Sequence, residues 1–68
     1  MAYKAARVRK ALERNYIKLR QRGSHAIYQV PGGTAVFAYH DRAELADRQL
    51  KKVAADFSLT LDELKDLL

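Results

Sequence analysis

Apolar and polar positions along this 68-residue chain change period more than once, and each change marks an element boundary. From Ala5 to about Arg14, the residues Ala5, Val8 and Leu12 recur at helical spacing, while Arg7, Lys10 and Arg14 fall on the opposite side. That pattern predicts an amphipathic helix whose apolar stripe packs inward and whose basic stripe meets solvent or phosphate. Asn15 stands where this helix should stop, because Asn tolerates the left-handed conformation that often closes a helix.

Tyr16 to Arg22 then alternates, with Ile17 and Leu19 pointing one way and Lys18, Arg20 and Arg22 the other. A period of two predicts a strand. Gly23-Ser24 reads as a turn, His25 to Val30 as a second strand rich in strand formers, and Pro31-Gly32-Gly33 as a break. Thr34 to Tyr39 makes a third strand, closed by His40-Asp41. Turns this short predict an antiparallel meander. Downstream, Asp47 is placed to cap a second helix that carries Leu50, Val53, Ala54 and Phe57 on its inner side and Arg48, Lys51 and Lys52 on its outer side. Thr60 and Glu63 have capping-box spacing and start a short final helix running to Leu68. The fold class is α+β in α-β-β-β-α order, a three-stranded antiparallel sheet with helices on one face and a short C-terminal helical extension.

Composition narrows the picture. No repeat, linker or low-complexity stretch divides the chain, so residues 1–68 read as one domain. A domain of this size buries only about 60% of its unfolded surface, and its core is small. There is no cysteine to supply a disulfide or a thiolate metal site, and two histidines without favourable carboxylate spacing leave no expected metal or cofactor. No apolar run approaches the roughly 18 residues of a spanning helix, and the basic N-terminus lacks the apolar stretch of a secretory signal. The expectation is a soluble, cytoplasmic protein with no membrane partner.

Charge is uneven. Residues 1–40 hold eight basic side chains against Glu13 alone, whereas residues 41–68 hold five basic and seven acidic ones. A basic N-terminal half suits a polyanion such as nucleic acid, although a charged surface also simply keeps a protein in solution.

The element order resembles the double-stranded-RNA-binding-domain fold, and the local sequence is more specific. Gly23-Ser24-His25-Ala26-Ile27-Tyr28 resembles the G-S-H-x-x-Y signature of the HicA-type (YcfA-like) toxin family. The likeness runs in order along nearly the whole chain, from Asn15-Tyr16 and the basic strand Leu19-Arg20-Gln21-Arg22, through the turn and a Gly-bearing hairpin, to His40 and Glu44-Leu45. Asn15, Ala38 and Ala46-Asp47 depart from that pattern, and the tail after Phe57 is longer than typical; none of these touches the G-S-H triplet. The resemblance implies a toxin of a type II toxin–antitoxin system, a metal-independent mRNA endoribonuclease. It also implies a HicB-type antitoxin protein as partner, in a hetero-oligomer that covers the histidine and the basic face.

The chemistry is consistent with one histidine. RNA supplies its own nucleophile, the 2′-OH, so the protein must add proton transfer and neutralise charge on the phosphate oxygens. An imidazole does the first near neutral pH without a metal, which makes His25 the candidate catalytic residue. Gly23 allows close approach of a phosphate, and the Ser24 hydroxyl can bond the histidine or the phosphate. Arg20, Arg22 and Lys18 are assigned to gripping the RNA backbone, with a charged, aggregation-resistant edge strand as the plainer alternative. His40 is read as a strand-terminating residue. Tyr28 and Tyr39 could stack bases, although alternation makes Tyr28 first a core residue. A non-catalytic binder of structured RNA, or a DNA- or protein-binding module, remains open at this point.

Overall fold

The computed structural model describes residues 2–68 and has the expected α-β-β-β-α order. Helix α1 (Ala5–Asn15) precedes strands β2 (Ile17–Arg22), β3 (His25–Val30) and β4 (Gly33–Phe37), which form an antiparallel sheet in the order β2-β3-β4. Helices α2 (Asp47–Asp56) and α3 (Leu61–Leu67) follow. Two short segments absent from the sequence reading, β1 (Tyr3–Lys4) and β5 (Glu44–Leu45), pair antiparallel and hold the start of α1 against the segment that leads into α2. Two residues each are too few to show a periodicity, so only the tertiary contact reveals them.

Both long helices lie on one face of the sheet. Val8 and Leu12 of α1 and Leu50, Val53 and Ala54 of α2, with Phe57 just beyond it, share a single buried cluster with Ala26, Tyr28, Val30, Ala35 and Phe37 of the strands. Phe57 is its aromatic centre, with ring centroids 5.2 Å from Tyr16 and 5.7 Å from Tyr28. Tyr28 is therefore core, as alternation indicated. Its hydroxyl is buried without a hydrogen-bond partner among the described residues; burial and then the nearby Glu13 carboxylate push the phenol above its ordinary pKa.

The element ends differ from expectation in instructive ways. Asn15 does not close α1 in a left-handed conformation; its Nδ2 donates to the Ala11 carbonyl at 2.7 Å, and Tyr16 turns extended to leave the helix. Asp47 is not a cap but the first residue of α2, and Ala46 holds the cap position with its own N–H donating to Gln49 Oε1 at 3.0 Å. Asp47 still stands in the positive first turn, and its carboxylate meets Lys65 at 3.2 Å. The Thr60–Glu63 capping box forms in both directions, at 2.8 and 3.1 Å.

The third strand is shifted toward the turn and runs Gly33–Phe37, where Thr34–Tyr39 was expected. Val30 pairs with Gly33 across Pro31-Gly32, and Gly32 (φ 86°) supplies the positive φ that such a tight turn requires. At the other end Phe37 pairs with Ala26, one residue from the start of β3, and the chain then leaves the sheet. Tyr39 lies just beyond the strand, its ring 5.5 Å from that of Phe37.

Candidate nucleic-acid interface

The two-residue turn Gly23-Ser24 joins β2 to β3 and sets which residues face one another. Gly23 sits at φ 59°, a conformation that glycine adopts without strain, and Arg22 and His25 become the closing pair of the hairpin. A methyl group at Gly23 would touch nothing within 4 Å, so the turn geometry rather than a crowded backbone explains this glycine.

Register then assigns faces, since directly opposed residues of an antiparallel pair share one. Ala26, Tyr28 and Val30 are buried under the helices, which leaves His25, Ile27 and Gln29 on the open face. Arg22 lies opposite His25, and Arg20 opposite Ile27. Arg20, Arg22 and His25 therefore stand on one exposed face at the hairpin end.

Lys18 does not join them, which corrects the expectation of one basic strand face. A β-bulge between Lys18 and Arg20 breaks the alternation, and Lys18 pairs with Tyr28, on the helix side. There its ammonium meets Glu13 of α1 at 3.3 Å and donates to Gln21 Oε1 at 2.6 Å. One extra residue in the strand is enough to move a side chain to the other face. The sequence carries no residue type at Leu19 that signals such a bulge, and the leucine is left half exposed.

The remaining N-terminal cations divide in the same way. Arg9 forks onto Asp41 at 2.8 and 3.2 Å and reaches both Glu13 oxygens at 3.1 Å. These bonds raise the Arg9 pKa further above its ordinary value and hold Asp41 below the usual carboxylate range. Glu13 is pushed up by burial, but hydrogen bonds from Arg9 and Lys18 outweigh this and leave it lowered. Arg7 and Arg14 donate to the carbonyls of Leu68 and Leu67 at 3.4 and 3.3 Å, so much of the basic stripe of α1 holds the end of α3. Arg20 and Arg22, by contrast, make no ion pair with another described residue.

On the helix side of the same hairpin end lies a cleft of about 330 Å³. Gln21, Ser24, Tyr39 and His40 line it together with the Arg9–Asp41 pair, above Ala26 and Phe37. His40 belongs to this cleft and His25 does not, so the structure does not bring the two histidines together. No three His, Asp or Glu side chains cluster as metal ligands among the described residues, and no helix there is long and apolar enough to cross a membrane.

Comparison with known proteins adds no family to this geometry: no family model matches the chain, and no curated protein matches it.

Proposed function

We propose that this protein is an RNA-directed toxin of the HicA type, a metal-independent mRNA endoribonuclease in which His25 transfers the proton and Arg20 and Arg22 hold the phosphate backbone. The observation that carries this reading is the hairpin end itself. His25 stands exposed opposite Arg22, beside Arg20, on the sheet face that the helices leave open. Two guanidinium groups without acidic partners suit a phosphate, and an adjacent imidazole suits proton transfer to or from the RNA's own hydroxyl. Ser24, half buried in the turn, is within one residue of the histidine, and Gly23 leaves the approach over the turn open. Lys18, held by Glu13, has a structural role in this scheme.

Substrate and partner follow from the same reading. Messenger RNA places the activity in the cytoplasm, and an antitoxin of the HicB type silences it by covering the open face. Ile17, Ile27 and Val36 give that face apolar area, with Ile17 65% and Val36 44% exposed.

A second reading, a non-catalytic RNA-binding module on the same face, is favoured by one observation. The His25 imidazole makes no hydrogen bond to another described residue, so none of the described residues orients it in that way. One experiment separates the two: wild type and His25→Ala on a single RNA, with EDTA present, followed for cleavage and binding side by side. The expected result is a loss of cleavage of about 10²–10⁴-fold with affinity nearly intact. Equal cleavage by both proteins rejects the catalytic role, and an absence of cleavage by either favours the binding module.

A further inference from the structure

The helix-side cleft at the hairpin end has a chemistry of its own, distinct from that of the open face. Its single cation is neutralised: Arg9 is bound by Asp41 at 2.8 and 3.2 Å and by Glu13 at 3.1 Å. With a carboxylate in the wall and no uncommitted positive charge, the cleft is a poor place for a phosphate. What it does offer is hydrogen-bonding capacity. Ser24 and His40 contribute a hydroxyl and an imidazole with no side-chain hydrogen bond to another described residue, and each type can both donate and accept. Gln21 is already committed, to the Gly23 carbonyl at 3.1 Å and to Lys18 at 2.6 Å. Tyr39, half buried against Phe37, supplies an aromatic wall.

We propose that this cleft is a subsite for one unpaired nucleobase of a bound single-stranded RNA. The inference rests on the RNA reading above and extends it around the turn. A base is planar, uncharged and edged with mixed donors and acceptors, and it stacks on aromatic side chains. About 330 Å³ lies at the small end of ligand sites, which suits one base and not a longer segment. Position supplies the link: Ser24 lines the cleft, and the next residue, His25, stands on the open face opposite Arg22. A strand gripped by its phosphates at Arg22 can pass over the Gly23-Ser24 turn and leave the neighbouring base in the cleft. The arginines then contribute affinity without sequence preference, and His40 with Ser24 contributes contacts to a base edge.

The test uses a 2′-O-methylated RNA of about ten nucleotides, which lacks the internal nucleophile and spans a typical single-strand site. An abasic sugar-phosphate chain of equal length serves as control. Resonances of Ser24, Tyr39 and His40 should shift with the RNA and stay in place with the abasic chain, while those of Arg22 and His25 shift with both. His40→Ala should weaken the RNA about three- to tenfold, the worth of one hydrogen-bonding contact, and leave both the abasic affinity and the salt dependence unchanged. Equal weakening of both ligands would make His40 a backbone contact and overturn the proposal. Shifts confined to Arg22 and His25 would also overturn it while leaving the RNA reading standing, whereas silence at every residue would overturn both. A nucleoside monophosphate that binds the cleft as tightly as the RNA would make it a free-nucleotide site and reject the strand subsite.

Discussion

The two faces of the β2-β3-β4 sheet are written by alternate residues of the same strands, yet they are built for opposite purposes. On the helix side Ala26, Tyr28, Ala35 and Phe37 are at most 5% exposed and make up much of the core. The cations that reach that side are spoken for: Lys18 by Glu13, and Arg9 by Glu13 and Asp41. On the open side His25, Arg20 and Arg22 are exposed and carry no ion pair among the described residues. Packing and pairing hold the molecule together on one face and leave groups without internal partners on the other. Those are the groups able to act on something else.

Substitutions should therefore sort by face, and the largest contrast lies in stability. Phe57→Ala removes the ring that joins Tyr16 and Tyr28, at a cost of about 3–5 kcal/mol. That equals the whole margin of a domain this small, so the variant should be largely unfolded by circular dichroism at 25 °C. His25→Ala should change stability by less than about 0.5 kcal/mol, as expected for an exposed strand residue without partners. A strongly destabilised His25 variant would break the division between the faces.

The next effect concerns the two sets of cations. Removing Arg20 and Arg22 together should flatten the log–log salt dependence of the proposed RNA binding by about one to two units, since each phosphate contact on a single strand releases roughly 0.7 of a counterion. Lys18→Ala should leave that slope nearly unchanged, because its ammonium is held by Glu13 and Gln21. A slope that responds to Lys18 and not to the arginines would reverse the assignment.

Acid should act first on the helix side. Glu13 and Asp41 titrate below their ordinary values in the folded protein, so their contribution is complete above the unfolded carboxylate range of about pH 4 and is lost as pH falls through the lower folded values. Thermal stability should thus decline below about pH 4, and Asp41→Asn should make that decline shallower. An identical acid limb in the variant would show that the Arg9–Asp41 pair contributes nothing to it.

The smallest effect tests the join between α2 and α3. Ser58 occupies the left-handed region at φ 61°, where the Ser58 and Leu59 N–H groups cap α2 on the carbonyls of Ala55 and Ala54 at 3.1 and 2.8 Å. Glycine takes this conformation without the side-chain penalty, so Ser58→Gly should stabilise the protein by about 1 kcal/mol in urea denaturation while leaving RNA binding unchanged. A loss of stability would mean that the serine side chain contributes more than its strained backbone costs.

Local sequence was enough for the three helices, the three strands of the main sheet and their order. The helical stripe of Ala5, Val8 and Leu12, the Gly23-Ser24 turn, the break at Pro31-Gly32-Gly33 and the Thr60–Glu63 box each act through neighbours a few residues apart, and each is found where the sequence places it, except that Gly33 already belongs to β4. The same holds for His25 as an exposed strand-end residue and for Tyr28 as core. What only the tertiary structure decided is which groups meet across the fold. The bulge that sends Lys18 to Glu13 depends on how β2 fits against β3 and α1, and no pattern within β2 encodes it. The pairing of Tyr3–Lys4 with Glu44–Leu45, the Arg9–Asp41 fork, and the meeting of Ser24 with His40 in one cleft join residues sixteen to forty-two positions apart. Periodicity reports which side of an element is apolar; it carries no information about which distant polar group that side will meet, because that depends on how the packed elements finally register.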